Sequence, residues 1–321
     1  MYDVIALGEL LIDFTYVSSD QMNYPTMAAH PGGAPANFLA AISQLGGNTA
    51  LLGKVGDDAF GKMLIATLDN MGIETKGIIA DPNWFTTMVF VTLDDSGNRE
   101  FSFARKPGAD TQIEYDELDL SIINETKVFH FGTLSLTDEP AREATYKAVR
   151  YAKAKGKLIT YDPNLRRPLW NDLTEAKEAL KWGLGLADVV KISDEEVEFL
   201  FDLNPVEGGK HIIETFGTKL LFVTCGSNGC YYFNVNAYGH VNALSNIKVK
   251  DTTGAGDIFG GSAVWKLLQS NKSPEDLNDS ELRQIVEYAT IVAGLSTTRV
   301  GGISGIPSLK EIELRSHQPI F

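Results

Sequence analysis

Short, uninterrupted apolar runs recur along the chain, and each is followed by glycine or polar residues. The first is Val4–Leu7, which ends at Gly8. Runs of this length without alternating polar positions are typical of strands that are buried on both faces of a parallel sheet. Strands of this kind are predicted at Val4–Leu7, Thr49–Gly53, Val128–Phe131, Lys157–Tyr161, Asp188–Lys191 and Leu220–Thr224.

Between these runs, apolar residues recur every three or four positions, as they do on one face of a helix. Phe60, Leu64 and Leu68 illustrate this spacing. The alternation of strand and helix predicts a doubly wound, mainly parallel α/β sheet flanked by helices, with ligands at the carboxyl ends of the strands. The predicted helices are Asn37–Leu45, Phe60–Met71, Ala141–Ala154, Thr174–Trp182 and Asp194–Phe201.

One part of the chain departs from this alternation. Residues 86–93 and 99–105 are rich in β-formers and are joined by the glycine-containing segment Asp94–Asn98, which predicts a hairpin. Residues 14–29 also lack helical spacing. We expect a single domain, residues 1–321, from which residues of about 14–29 and 85–106 project as a small antiparallel sheet that acts as a lid. An edge hairpin with no gating role is the alternative.

Composition narrows the possible partners. Among 321 residues, 28 Lys and Arg face 42 Asp and Glu, for a net charge of -14. This charge disfavours binding to nucleic acid or to an anionic membrane. The N-terminus has no basic signal region and no apolar run reaches roughly 18 residues, so we expect a cytoplasmic protein. An anionic substrate must then be held by local positive potential from helix N-termini, a few basic side chains or a metal ion.

The segment before the helical run 262–269 provides such a potential. Gly254, Ala255 and Gly256 are small residues whose backbone N–H groups, together with the helix dipole, form an anion site that fits a phosphate. Asp257 follows directly and could accept a proton from a hydroxyl that attacks phosphorus. Alternatively, Asp257 merely complements the dipole. The chain has no Walker A, dinucleotide or protein-kinase motif.

The run Asp251–Asp257, with the sequence DTTGAGD, resembles the C-terminal signature of the ribokinase-like (PfkB) carbohydrate kinases. Two earlier segments also fit that family, GGAPAN at residues 32–37 and GKVGDDAFG at residues 53–61. Residues 162–170 and 191–196 further resemble the fructokinase branch. These segments span nearly the whole chain in the order that the family has.

The resemblance implies phosphorylation of a sugar hydroxyl by ATP, in a doubly wound α/β fold with a β lid. Asp257 would be the general base. The N–H groups of Gly254, Ala255 and Gly256 would stabilise charge on the transferring phosphoryl group. Backbone dipoles and Mg2+ can do this without a broad basic surface, which suits an acidic protein.

The resemblance also implies the sugar contacts. Asp13 matches a hydroxyl-binding aspartate, Gly33 a close approach of the backbone to the sugar, and Asn37 a polar contact. Arg105 resembles an arginine that reaches over the sugar from the lid, and Arg166 follows a predicted strand where ligands collect. Asp13 is otherwise a turn residue, and Gly33 and Asn37 otherwise only begin a helix.

For the nucleotide, the family match implies contacts from Lys191, Thr224, Gly226 and Gly229, and an adenine pocket walled by residues 289–302. The two glycines also fit a plain hairpin turn between strands.

The family match also implies metal sites. Glu196 would orient water molecules around Mg2+, although Ser193 stands where ribokinase has asparagine, and an exposed helix glutamate is the alternative. Asp251 and Thr253 would be ligands of a monovalent cation such as K+.

Three functions remain open from the sequence. The first is a fructokinase that makes fructose 6-phosphate from fructose and MgATP. The second is a 2-keto-3-deoxygluconate kinase, because Arg105 and Arg166 suit a substrate carboxylate. The third is a non-enzymatic sugar- or nucleotide-binding regulator on the same fold. In each case, an open edge of the lid sheet could pair with a second copy to form a homodimer.

Overall fold

The computed structural model of the protein describes residues 1–93 and 99–316. The predicted turn Asp94–Asn98 lies outside the described residues. The strands are β1 (Tyr2–Leu7), β2 (Leu11–Ser19), β3 (Pro25–Gly32), β4 (Thr49–Gly56), β5 (Ile73–Glu74), β6 (Ile78–Asp81), β7 (Met88–Leu93), β8 (Arg99–Ala104), β9 (Thr126–Gly132), β10 (Leu158–Asp162), β11 (Val189–Ser193), β12 (Leu220–Thr224), β13 (Cys230–Asn234) and β14 (Tyr238–Val241). The helices are α1 (Ala34–Gln44), α2 (Ala59–Asn70), α3 (Leu120–Asn124), α4 (Ala141–Ala154), α5 (Leu173–Leu184), α6 (Asp194–Phe201), α7 (Pro205–Phe216), α8 (Ala255–Ser270), α9 (Asp279–Ser296) and α10 (Leu309–Ser316).

The main sheet has the strand order β14-β13-β12-β11-β10-β9-β1-β4-β5, and β6 pairs with β4. Its pairs are parallel from β5 to β12, and the pairs β12–β13 and β13–β14 are antiparallel. Every strand predicted from an apolar run is present, so the prediction of a doubly wound, mainly parallel sheet is confirmed. Strand β1 lies between β4 and β9, which the chain adds on opposite sides of it, and ligands bind at the carboxyl ends of strands at such a point.

Helices cover both faces of the main sheet, which explains its uninterrupted apolar runs. In β1, Ile5 and Leu7 join one buried cluster while Val4 and Ala6 join the cluster on the other face. All four side chains are at most 1% exposed. A strand whose side chains alternate between two buried apolar layers has no solvent-facing position, so it needs no polar residues. Among the described residues, no helix is both long and apolar enough to cross a membrane.

A second sheet has the strand order β3-β2-β7-β8, and we call it the small sheet. The hairpin predicted from residues 86–93 and 99–105 is present as the antiparallel pair β7 and β8. The expectation that the whole sheet is antiparallel is wrong, because β2 and β7 pair in parallel. The chain between these two strands passes through the main sheet, and such a long crossover allows a parallel pair.

Candidate active site

A cleft opens where β1, β9 and β10 end, at the carboxyl edge of the main sheet. It is lined by polar groups from several elements. They include Glu9, His130, Thr133, Asp162 and Asp257. The cleft therefore lies where the fold predicts a ligand.

Helix α8 begins at this cleft, earlier than the run at residues 262–269 indicated. Gly254 precedes it with a φ of 73°, a left-handed conformation that favours glycine. A Cβ there would also lie 2.9 Å from the Gly302 Cα and 3.0 Å from the Asn37 Nδ2. The Ala255 N–H donates to the Thr252 carbonyl at 3.2 Å, while the N–H of Gly256 has no acceptor within the helix. The first turn of α8 thus presents positive potential at the cleft.

Asp257 is the third residue of α8 and is buried. Its Oδ2 accepts a hydrogen bond of 2.8 Å from the Asn37 Nδ2, in the first turn of α1. Burial raises the pKa of Asp257, whereas the Lys191 charge, the Asn37 hydrogen bond and the Arg166 charge lower it. A carboxylate held in this way in a cleft is suited to accept a proton from a bound hydroxyl.

The other end of the Asn37 amide, Oδ1, is buried and has no hydrogen-bond partner in the described part of the chain. Gly33 caps the same helix with a φ of 115°, and a Cβ there would collide with the Glu9 carbonyl oxygen. The first turn of α1 therefore holds a buried, unpartnered amide oxygen on the side chain that binds Asp257, and such an oxygen suits a hydroxyl group of a ligand.

Asp13 and Arg166 approach the same region from the small sheet and from the loop after β10. The pKa of Asp13 is raised to about 6, chiefly by burial, while Arg166 opposes the rise and Asp257 and Asp251 contribute to it. The Arg166 side chain is exposed, and its Nη1 is 3.4 Å from the Leu165 carbonyl oxygen. The structure thus brings Asp13, Arg166 and Asp257 within electrostatic reach of one another.

Arg105 lies below the small sheet with its side chain only 1% exposed. Its Nε donates to the Asp110 Oδ2 at 2.7 Å, its Nη1 to the Thr137 Oγ1 at 2.7 Å and its Nη2 to the Leu134 carbonyl at 2.8 Å. The protein itself therefore supplies an acceptor for each of the three guanidinium nitrogens.

Lys191 crosses from β11 towards the first turn of α8. Its Nζ lies 3.0 Å from the Asp162 Oδ2 and 3.3 Å from the Oδ1. A Cβ at Gly256 would lie 2.9 Å from the same Nζ, so a larger residue at position 256 would displace the lysine. Lys191 thus connects the end of β10 with the start of α8.

The remaining residues matched to the nucleotide lie at the hairpin that joins β12 to β13. Thr224 ends β12, and its Oγ1 lies 3.4 Å from the Ile192 carbonyl oxygen. The segment Gly226–Asn228 forms a turn of 3-10 helix, and both Gly226 and Gly229 have positive φ. The hairpin turn is confirmed, and the nucleotide contacts stay predictions.

The candidate metal ligands are engaged with backbone groups. The Glu196 carboxylate accepts from the Leu165 N–H at 2.6 Å and from the Ser193 N–H at 2.8 Å. The Asp251 Oδ1 accepts from Thr253 and its Oδ2 accepts from the Gly301 N–H at 2.8 Å. Within residues 1–93 and 99–316, no group of three or more His, Cys, Asp or Glu side chains could hold a metal ion by itself.

Comparison with known proteins assigns the fold and its chemistry. The model of the pfkB family of carbohydrate kinases matches residues 1–309. The chain belongs to this family. It is therefore a carbohydrate kinase, as its motifs predicted.

Three similar proteins illustrate the relationship. Fructokinase-2 of Solanum lycopersicum is 40% identical over 311 residues, which cover 96% of this chain and 94% of that protein. The structure of a Xylella fastidiosa fructokinase with bound ATP superimposes with a TM-score of 0.90 at 29% identity, over 99% of this chain and 100% of that one. The structure of a Vibrio cholerae fructokinase with fructose, ADP and calcium gives a TM-score of 0.86 at 30% identity, over 98% of each chain.

Sequence reasoning missed three titratable residues that line the cleft of this kinase, Glu9, His130 and Asp162. Burial raises the pKa of Glu9 to about 7 and that of Asp162 to about 7, and it lowers the pKa of His130 to about 3. Glu9 and Asp162 stand at the ends of predicted strands, so the carboxyl-end rule could have found them. His130 lies within β9, stacked on Phe38 with ring centroids 3.7 Å apart, and no local signal marks it.

Proposed function

We propose that this kinase transfers the terminal phosphoryl group of ATP to D-fructose and releases fructose 6-phosphate and ADP. The similar proteins named fructokinases support the choice of sugar, and two of the similar structures hold ATP or fructose. The observation that carries the proposal is the buried Asp257 carboxylate, fixed by Asn37 at the first turn of α8 and facing the cleft.

In the proposed reaction, Asp257 accepts the proton of the sugar hydroxyl as its oxygen bonds to phosphorus. Lys191 and Arg166 oppose the effect of burial on Asp257, which favours the ionised base. The N–H groups of Gly254 and Gly256 stabilise the negative charge on the transferring group, and the Ala255 N–H joins them when it releases the Thr252 carbonyl.

The sugar would lie against the start of α1. Asp13 and the unpartnered Asn37 Oδ1 would accept hydrogen bonds from its hydroxyls, and Gly33 would allow it to approach the backbone. Arg166 would cover it from the loop after β10. The small sheet would close over it as a lid and exclude water that otherwise hydrolyses ATP.

The nucleotide would be bound by Lys191, Thr224, Gly226 and Gly229, next to the start of α8. Glu196 fits a second role as a partner of Mg2+ waters, because each of its oxygens accepts one hydrogen bond and has a second lone pair. When bound with ATP, Mg2+ neutralises phosphate charge.

A monovalent cation such as K+ is a further proposal, with Asp251 and Thr253 as its ligands. The Asp251 carboxylate orders this loop through its hydrogen bonds to Thr253 and Gly301. Carbonyl oxygens of the same loop would have to complete the coordination of the ion.

A sugar acid is the less favoured substrate. The second hypothesis relied on two arginines for a carboxylate, and Arg105 is paired with Asp110 and hydrogen-bonded to Thr137 and Leu134. Of these two arginines, Arg105 is buried and Arg166 is exposed.

The test is ADP release from MgATP in potassium buffer with fructose, 2-keto-3-deoxygluconate, ribose, glucose, fructose 6-phosphate or no sugar. We expect activity with fructose far above the others. Activity with the keto acid alone would keep the mechanism and change the substrate. No activity with any sugar would instead support a binding protein without catalysis.

A further inference from the structure

The strongest polar feature outside the catalytic residues is the ion pair below the small sheet. Arg105 directly follows β8, and Asp110 lies in a short 3-10 helix, Ala109–Gln112. The two side chains are 1% and 2% exposed and lie 2.7 Å apart, Nε to Oδ2. A buried pair of this kind is costly to break, because the remaining charge is left without water or a counter-ion.

Neighbouring groups complete the enclosure of this pair. The Thr87 hydroxyl donates to the other Asp110 oxygen, Oδ1. The Nη1 and Nη2 of Arg105 donate to Thr137 and to the Leu134 carbonyl. Asp138 also lies 3.5 Å from Nη1, but its side chain is 47% exposed and so holds the guanidinium more weakly. Asp110 is thus the main counter-ion of Arg105.

This pair lies directly behind the wall of the cleft. Leu134, whose carbonyl accepts from Arg105, lines the cleft together with Thr133 and Glu9. The pKa of Glu9 is raised by burial and by Asp110, and it is lowered by Arg105, so both charges reach the cleft wall. The charge of Arg105 is therefore close enough to the cleft wall to affect the binding of a ligand there.

We propose that Asp110 is a specificity-determining residue that, by holding Arg105, restricts the cleft to neutral sugars and excludes sugar acids. A guanidinium recognises a carboxylate through two parallel hydrogen bonds and through its net charge. Asp110 occupies one donor and neutralises that charge, so a substrate carboxylate gains little from Arg105. The proposal rests on the proposed function only in assuming that the sugar binds in this cleft.

The experiment compares fructose with 2-keto-3-deoxygluconate in Asp110→Ala, Asp110→Asn and the double variant Asp110→Ala, Arg105→Met. In Asp110→Ala, we expect kcat/KM for the acid relative to fructose to rise about tenfold or more, the size of one charge-assisted hydrogen bond. Asp110→Asn keeps an acceptor and should give a smaller rise. The double variant should lose the gain, because the charge that attracts the acid is gone.

Asp81→Ala is the matched control. It removes a carboxylate 3.4 Å from the buried Lys54 Nζ, and neither residue lines the cleft. A ratio that stays at the wild-type value in both Asp110 variants, or that rises equally in Asp81→Ala, would overturn the proposal. Should Asp110→Ala not fold, Asp110→Asn and its double variant with Arg105→Met decide the question.

Calorimetric binding of each sugar without ATP separates this proposal from the proposed function. If no protein turns over any sugar but Asp110→Ala binds the acid more tightly, the proposed function fails and the specificity proposal holds. If wild type phosphorylates fructose and neither variant gains affinity for the acid, the specificity proposal fails alone.

Discussion

The carboxyl end of the main sheet and the small sheet meet at the same cleft, yet they expose opposite kinds of group. The strand ends of the main sheet and the start of α8 bring buried titratable groups to the cleft, among them Glu9, Asp162 and Asp257. The small sheet and its connecting loop leave apolar side chains in water, with Val17 59% and Tyr24 64% exposed. Polar groups at the end of the main sheet are buried, whereas apolar side chains of the small sheet remain exposed to water.

This difference separates two tasks. Charges that are held away from water by fixed partners need no reorganisation when charge develops in a reaction, so the main sheet suits catalysis. An exposed apolar surface gains free energy from any contact that covers it, so the small sheet suits closure or association. Substitutions of the buried polar groups should therefore change kinetic constants, whereas substitutions of the exposed apolar side chains of the small sheet should change assembly.

Loss of the base should have the largest effect. We expect Asp257→Asn to lower kcat by a factor of about 10²–10⁴, because the amide cannot take the proton of the attacking hydroxyl. Sugar binding, measured by calorimetry, should stay within a few-fold, since asparagine keeps the size of the side chain. Asp172→Asn, at the N-cap of α5, is the matched control and should leave kcat unchanged. Near-normal turnover in Asp257→Asn would remove this residue from the mechanism.

The second-largest effect is expected from removing the Lys191 charge, which favours the ionised form of Asp257. Lys191→Met removes the positive charge that lowers the pKa of Asp257, so that pKa should rise and the acidic limb of the kcat profile should move to higher pH. At pH values below the pKa of Asp257, we expect kcat to fall about tenfold for each unit by which that pKa rises, because the ionised fraction falls by that factor.

Lys191→Arg should restore much of the profile because it retains the charge. The proposed nucleotide contact predicts an additional rise in KM for ATP. A higher KM for ATP with an unmoved acidic limb would assign Lys191 to the nucleotide alone.

Substitution of Asp13 should change both sugar binding and stability, by less than the changes in kcat above. Its pKa is raised to about 6, so between the ordinary value of 3.8 and 6 the folded state binds more protons than the unfolded state. Stability therefore falls as pH rises through this window, and above it the buried charge costs on the order of 1–3 kcal/mol.

Asp13→Asn should consequently raise the Tm of the unliganded protein at pH 8 but not at pH 4. It should also raise KM for the sugar about tenfold, because one hydroxyl loses a charged acceptor. In the wild type, sugar affinity should decline as pH falls through about 6. A pH-independent change in Tm would contradict the assignment of a raised pKa to Asp13.

The sequence predicted the main sheet well because its strands are local apolar runs. The pairing of β2 with β7 could not be predicted, since the two strands are far apart in the sequence and neither has a local pattern that indicates its partner. The candidate site likewise combines residues that a local motif indicates with contacts that no local pattern indicates. The DTTGAGD run indicated Asp257, but its hydrogen bond to Asn37 spans 220 positions. Whether Arg105 faces a ligand or a counter-ion depends on Asp110, which carries no signal of its own.

Association through the small sheet should have the smallest effect on catalysis. If the exposed apolar side chains pair with those of a second copy, Val17→Ser and Tyr24→Ser should shift the protein from dimer to monomer, as measured by light scattering during size-exclusion chromatography. The kcat/KM for fructose should change only a few-fold, because neither side chain lines the cleft. Val235→Ser, at a residue 71% exposed beside the far edge of the main sheet, is the matched control. A protein that stays dimeric in both variants would move the interface elsewhere, and a wild type that is monomeric would leave these side chains with closure as their only role.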